Sequence, residues 1–302
     1  MKGREKGLEK DFCDLQPGIK KKPSSPHHFI TSSLLTSNKQ LATNFTMNRI
    51  NKLFEEKRNN LLSIYFTAGH PQLDSTVEIL EELQSAGVDM VEIGMPFSDP
   101  LADGPVIQES SQKALKNGMS LQILFRQLAD IRKSVSIPLL LMGYLNPVMH
   151  FGFENFCKHC SDAGIDGIIL PDLPLEEYLG HYRRFIDENG LHFIFLITPQ
   201  TSTERLRLID SVSNGFIYMV SSSSTTGTKG SLSEKQSDYF QRTKELNLKN
   251  PLVAGFGITG KETFDFACKY ANGGIIGTAF VKMLNETTSM HSSIRNFVSS
   301  VR

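Results

Sequence analysis

Three carboxylates lie close together in the chain, Glu92 in an apolar run and Asp99 and Asp103 in the segment after it, and a second carboxylate facing Glu92 would suit paired proton transfers. Glu92 lies in Val88-Asp89-Met90-Val91-Glu92-Ile93-Gly94. Strand alternation puts Val88, Met90 and Glu92 on one face of this run, with Val91 and Ile93 on the other. If the Met90 face points into a core, Glu92 goes with it. A buried carboxylate is costly unless it has a partner or a raised pKa, and no Lys or Arg occurs between Arg58 and Lys113. A base arriving from another strand would make Glu92 structural; without one, its surroundings suit a general acid or base. Immediately downstream, Pro96-Phe97-Ser98-Asp99-Pro100-Leu101-Ala102-Asp103-Gly104-Pro105 reads as a loop stiffened by three prolines. Asp is common in turns, so Asp99 and Asp103 could serve only there. A stiff loop beside Glu92 nevertheless suits the presentation of a second carboxylate.

Three Gly-containing segments suit an anion: Thr225-Thr226-Gly227-Thr228, Gly255-Phe256-Gly257-Ile258 and Ile276-Gly277-Thr278-Ala279. Glycine lets backbone N–H groups approach a phosphate, and a helix N-terminus adds favourable partial charge. Ser221–Ser224, ahead of Gly227, reads as a polar lid or as plain linker. The four cysteines are Cys13, Cys157, Cys160 and Cys268. Cys157 and Cys160 share an apolar helical face with Phe153 and Phe156, and no second Cys/His pair lies near them to complete a zinc site. Core packing is therefore expected of them, in a reducing, cytoplasmic compartment.

The elements that must position these residues are legible from Met47 onward. Short apolar runs at Leu61–Thr67, Val88–Gly94, Ile137–Met142, Gly167–Leu170, Leu191–Ile197, Phe216–Val220, Leu252–Ala254 and Gly273–Ile276 alternate with amphipathic helical patterns. Ser75 with Glu78, and Thr201 with Glu204, have capping-box spacing. One phrase recurs, as Ala86-Gly87-Val88-Asp89, Ala163-Gly164-Ile165-Asp166 and Ala271-Asn272-Gly273-Gly274, each expected to end a helix on a left-handed Gly before a strand. Eight strands without a dinucleotide-type Gly-x-Gly-x-x-Gly after the first predict an α/β fold, a closed (β/α)8 TIM barrel as a single domain over 47–302, rather than an open doubly wound sheet. The active site is then expected at the carboxyl ends of the strands. Residues 1–46 are basic, Ser-rich and free of acid from Leu15 to Phe54, and are expected to form a disordered, non-catalytic extension, with Met47 a plausible start. Lys plus Arg equals Asp plus Glu at 32 each, so no global charge draws the chain to nucleic acid or an anionic membrane. No apolar run is long enough to suggest a membrane span, so a soluble protein is expected.

These motifs closely resemble those of the tryptophan synthase alpha subunit family. The phrase from Glu92 to Pro105 is highly specific to it. Thr67-Ala68-Gly69-His70-Pro71, Gly143-Tyr144-Leu145-Asn146-Pro147, Pro171-Asp172-Leu173-Pro174 and Gly277-Thr278-Ala279-Phe280-Val281-Lys282 support the match, which runs from Met47 to the C-terminus. The resemblance implies a carbon–carbon lyase that cleaves indole-3-glycerol phosphate to indole and glyceraldehyde 3-phosphate without cofactor or metal. It makes Glu92 the acid/base at the indole ring carbon and Asp103 the acceptor of the indole N–H. Tyr65 and Tyr218 would line the indole pocket, Phe256 would contact substrate, and Thr226 would meet Asp103 on lid closure. Gly227, Gly257, Ile258, Gly277 and Thr278 would hold phosphate. The implied partner is a β subunit carrying pyridoxal phosphate, in an α2β2 assembly that channels indole, docked over Asp99, Pro100, Asn146, Pro147 and Pro174. Many members have an Arg and a further Gly in the lid, where this chain has Ser221–Ser224. Three alternatives remain: a free-standing lyase that releases indole, another phosphate-binding barrel such as an epimerase, and a non-catalytic subunit that only activates a partner.

Overall fold

The computed structural model describes residues 47–220, 234–255, 257–287 and 289–302. The expected extension (1–46), the lid with Thr226 and Gly227, and Phe256 lie outside the described residues. The strands are β1 (Leu61–Thr67), β2 (Met90–Gly94), β3 (Leu139–Met142), β4 (Gly167–Ile169), β5 (His192–Phe193), β6 (Phe195–Ile197), β7 (Ile217–Val220), β8 (Leu252–Gly255) and β9 (Gly273–Ile276). All pair in parallel, in the order β5-β4-β3-β2-β1-β9-β8-β7-β6. The two ends of this order are one run of chain. β5 pairs with β4 and β6 with β7, with Ile194 alone between them. The run expected as one strand, Leu191–Ile197, therefore changes partner midway and brings the sheet round into a barrel. Ile194 bridges the change by donating its N–H to Ile168 O at 2.9 Å.

Two apolar clusters follow from strand alternation. Leu62, Ile64, Val91, Ile93, Leu139, Leu141 and Ile168 pack outward against the helices. Leu61, Met90, Leu140, Ile169, Ile194, Phe216, Val253 and Ile275 fill the barrel interior. Met90 thus faces inward, and Glu92 with it. Helix α1 (Arg49–Glu56) delivers Ile50 and Phe54 into the same interior cluster. Ile50 lies against the first residue of β4, Gly167, and Phe54 packs on Phe216 with ring centroids 6.0 Å apart. The amino-terminal mouth is plugged, which leaves the carboxyl-terminal mouth for chemistry.

The recurring phrase has a common mechanical job that its glycines only partly explain. Gly87 and Gly164 adopt φ of +89° and +72°, as expected of left-handed helix ends. Gly273 does not; it already lies in β9, tight against Leu61, and the turn falls earlier, at Lys269 and Tyr270. What the three copies share is a side-chain oxygen that accepts the N–H at the start of the preceding strand. Asp89 accepts from Leu62 at 2.7 Å, Asp166 from Leu139 at 2.9 Å and Asn272 from Leu252 at 2.9 Å. The caps differ from expectation in the same local way. The helix Thr203–Val212 is capped by Ser202, which accepts from Arg205 N, while Thr201 accepts from Thr198 N. Asp74, not Ser75, precedes the helix Ser75–Ser85. Cys157 and Cys160 are fully buried in the outer core, and burial pushes the Cys157 thiol up to about 12, which makes both inert.

Asp166 is the most heavily used of the three repeat residues. It is buried, and its two oxygens meet Arg49 at 2.9 Å and Arg132 at 2.5 Å. Replacing it strands the partly buried Arg132 guanidinium. Asp166→Ala is expected to lower unfolding free energy by roughly 3 kcal/mol in urea titrations, while a loss under about 1 kcal/mol would show that the strand-start contact is dispensable.

Candidate active site

Glu92 is the third residue of β2, with Tyr65 on β1 and Leu140 on β3 beside it in register. Its side chain is 0 % exposed. The Ser63 hydroxyl, inward on β1, lies 3.5 Å from Oε1, a weak contact. Oε2 has no hydrogen-bond partner among the described residues. No base from another strand accompanies it there, so the structural alternative for Glu92 has no support among those residues. Burial pushes the Glu92 carboxyl up to about 8, with Ser63 pulling weakly the other way. At neutral pH it holds its proton, as a general acid must.

Asp103 reaches the same mouth from the loop after β2. The loop closes on itself through Asp103 N to Pro100 O at 3.0 Å, and Gln108 holds it from the next helix by donating to Asp103 O at 2.9 Å. Burial raises the Asp103 carboxyl to about 6, less than Glu92 because it is less deeply buried, and Tyr144, donating to Oδ2 at 3.1 Å, pulls the other way by favouring the charged form. One carboxyl is therefore protonated and the other ionised near neutrality, the division of roles that acid and base chemistry needs.

The pocket at this mouth is lined by Tyr65, Met95, Asp103, Met142, Tyr144 and Leu196, among others; Glu92 is not in its lining, but its register neighbour Tyr65 is. Tyr65 lies flat over Gly94: a Cβ there would sit 2.2 Å from its hydroxyl. Tyr218 lies over Gly255 in the same way, also at 2.2 Å. These two glycines make room for the two tyrosine rings; sequence reasoning read Gly94 only as the end of a strand and Gly255 only as part of an anion-binding segment. Burial, then the Asp103 and Glu92 charges, raise both phenols, so each tyrosine stays neutral beside the carboxylates.

The candidate anion site is at the ends of β8 and β9. Gly277 begins the helix Thr278–Glu286 with no side-chain cap, leaving its first N–H groups available to an anion. Gly257 sits at φ +78° and is exposed. The neighbouring helix Lys261–Cys268 is different, since Thr263 already accepts from Thr259 N and Gly260 N. Ile258 is buried with its side chain against Gly274, so only its backbone faces this site. Thr278 is exposed. A Cβ on Gly277 would lie 3.2 Å from the Tyr65 ring, which links the anion end to the apolar pocket.

Of the expected docking residues, Asp99, Asn146 and Pro174 are exposed and Pro147 half-buried, whereas Pro100 is buried and cannot offer surface. Leu101, beside it, is 86 % exposed. Sequence reasoning did not single out Tyr144, Leu196 or Met142 as site residues. Leu196 could have been found by alternation, two positions on from inward Ile194. His70 lies away from the site, buried, with burial lowering its imidazole to about 4. Among the described residues, no three His, Cys, Asp or Glu side chains gather to hold a metal ion, and no helix is long and apolar enough to cross a membrane.

A raised carboxyl pKa has a stability consequence of definite sign. A folded-state value near 8 against an ordinary 4.5 means that ionising Glu92 opposes folding. The cost is absent below about 4.5, grows as pH rises, and is complete above 8, on the order of 5 kcal/mol. Glu92→Gln removes it. Thermal melting of the variant should therefore exceed wild type by a margin that widens from pH 5 to pH 8; a constant or shrinking margin would show that the site ionises freely.

The comparisons with known proteins converge on one family. The family model for the tryptophan synthase alpha chain matches residues 50–301. The tryptophan synthase alpha chain of Flavobacterium psychrophilum is 56 % identical over 255 residues, covering 84 % of this chain and all of that protein. That of Bacteroides thetaiotaomicron is 54 % identical over 248 residues, covering 82 % and 97 %. Among solved structures, tryptophan synthase subunit alpha from Legionella pneumophila superposes with a TM-score of 0.77 at 34 % identity, covering 85 % of this chain and 97 % of that one. A chain of the tryptophan synthase complex from Pyrococcus furiosus gives 0.74 at 34 % identity, covering 81 % and 98 %.

Proposed function

The chain belongs to the tryptophan synthase alpha chain family, the lyase that cleaves indole-3-glycerol phosphate to indole and glyceraldehyde 3-phosphate in tryptophan biosynthesis, and on that premise we propose that Glu92 and Asp103 carry the cleavage. The single observation behind this assignment is the Glu92 carboxyl, buried without a base and held near 8 beside the pocket that Asp103 lines. Glu92 gives its proton to the indole ring carbon that bears the side chain. The ring becomes an indolenine-like cation, and the Asp103 carboxylate offsets the charge at the ring N–H. Glu92, now ionised, takes the side-chain hydroxyl proton. The carbon–carbon bond breaks, its electron pair restores the aromatic ring, and the alcohol carbon leaves as the aldehyde. Protons and electrons balance within the substrate and Glu92, so these residues require no cofactor on this chain.

Tyr65, Leu196 and Tyr218 give the apolar walls that suit indole, and the uncapped helix start at Gly277–Thr278 with Gly257 suits the phosphate. The family resemblance alone supports the contact of Thr226 with Asp103 on lid closure, the phosphate contact of Gly227 and the substrate contact of Phe256. The β subunit is the partner of the family, and the exposed Asp99, Leu101, Asn146 and Pro174 on loops at the open mouth suit its docking. An α2β2 stoichiometry, channelling of indole and a cytoplasmic location belong to this reading.

Activity should need Glu92 protonated and Asp103 ionised. The profile of kcat/KM against pH is then a bell with limbs near 6 and 8, the values of the pair rather than of either group alone. Glu92→Gln should lower turnover by about 10²–10⁴-fold in an indole-release assay with folding intact. A variant that cleaves at near-normal rate would make Glu92 structural.

The phosphate site needs a separate test. Gly277→Val would disturb Tyr65 as well as the anion, so Thr278→Asp is the cleaner probe. A carboxylate at the helix start should raise KM about tenfold or more with little change in kcat, and glycerol phosphate should compete in the wild type. Unchanged KM together with no competition would remove the assignment.

A further inference from the structure

We propose that Tyr144 is a positioning residue that orients the Asp103 carboxylate and ties it to the partner-facing loops, an inference that rests on the reading of Asp103 given above. Tyr144 follows β3 and is not on the loop it holds. Its hydroxyl donates to Asp103 Oδ2 at 3.1 Å and accepts from Ala102 N–H at 3.0 Å, so one phenol grips the loop after β2 at side chain and backbone together. The Tyr144 ring packs on Phe97 of that same loop with centroids 5.3 Å apart. The phenol is thus fixed at both ring and hydroxyl, and two hydrogen bonds sharing one oxygen define the direction in which Asp103 points.

The grip continues away from the site. The next residue, Leu145, donates its N–H to both oxygens of Asp172 on the loop after β4, at 2.9 and 3.0 Å. Leu145 begins the helix Leu145–Phe151, whose first turn carries the exposed Asn146, and Asp172 lies two residues before the exposed Pro174. Three loops of the open mouth are therefore joined through Tyr144: the loop with Asp103, the loop with Asn146, and the loop with Pro174. A partner that presses on Asn146 or Pro174 acts on the hydroxyl that orients Asp103 without touching substrate.

The ionisable groups around Asp103 are Tyr144, the Tyr65 and Tyr218 phenols and Glu92, with Asp172 beyond Tyr144. None of these is a cation, so among the described residues the Tyr144 hydroxyl is the group that favours the ionised carboxylate. Removing it should raise the Asp103 pKa and move the acidic limb of kcat/KM to higher pH. A merely structural tyrosine would leave that limb in place.

The test compares wild type, Tyr144→Phe, Asp103→Asn and the double variant in cleavage of indole-3-glycerol phosphate from pH 5 to 9. Tyr144→Phe keeps the ring on Phe97, and its thermal melting should match wild type. Its kcat should fall about tenfold to a hundredfold, the value of a hydrogen bond to a charged group, with KM changed less than threefold and the acidic limb displaced upward. In the Asp103→Asn background the same change should matter less than twofold. Two results overturn the inference alone: an unmoved limb with kcat within twofold of wild type, or an equal loss from Tyr144→Phe in both backgrounds. An active Asp103→Asn overturns the inference together with the reading of Asp103 on which it rests. If the β subunit acts through this contact, its acceleration of wild type should be at least halved in Tyr144→Phe.

Discussion

A carboxyl group inside an apolar barrel, with a single weakly placed hydroxyl as its hydrogen-bond partner among the described residues, is the constraint on which the rest of this structure depends. Taking Glu92 out of water without a counter-charge makes its ionised form costly, and the group answers by keeping its proton at neutral pH. That environment exists only because the barrel closes and its lower end is filled. Ile50 and Phe54 from α1 exclude solvent from below, Met90 precedes Glu92 on the inward face and Leu140 lies beside it, and the change of strand partner at Ile194 completes the wall. A barrel left open there would hydrate the carboxyl and return it towards an ordinary acid.

Asp103 shows the complementary design. It hangs on a loop rather than a strand, keeps some exposure, and receives a phenolic hydrogen bond, so it ionises about two pH units below Glu92. The difference in roles comes from placement, since the two side chains have nearly the same chemistry. The tyrosines between them extend the same logic. Gly94 and Gly255 are bare so that Tyr65 and Tyr218 can lie flat on the strand ends, where they supply an apolar wall without introducing charge.

Much of this was legible in the chain. Alternation around Met90 put Glu92 on the inward face, and the absence of any base from Arg58 to Lys113 anticipated its isolation. The strands were found nearly to the residue, because buried parallel strands are short apolar runs bounded by turn residues. The misses are local and have physical causes. The run Leu191–Ile197 reads as one strand, since one-dimensional patterning carries no sign of a change of partner. Capping at Ser202 rather than Thr201 was decided by a competing turn, in which Thr201 accepts the N–H of Thr198. Pro100 was placed on the docking surface by family resemblance and its position on a mouth loop, yet the folded loop buries it and exposes Leu101. Tyr144 sat inside a recognised motif without a role, because its two hydrogen bonds join residues about 41 positions apart.

The central claim is that burial alone poises Glu92 as an acid, and its ionisation can be observed without turnover. Carbon-13 NMR of protein labelled at the glutamate side-chain carboxyl, with Glu92→Gln to assign the resonance, gives the titration of this one group. The account predicts a midpoint near 8, well separated from the exposed glutamates. A Glu92 resonance that titrates with the others near 4.5 would mean that water or an unseen partner solvates the carboxylate, and the acid role built on its isolation would be wrong.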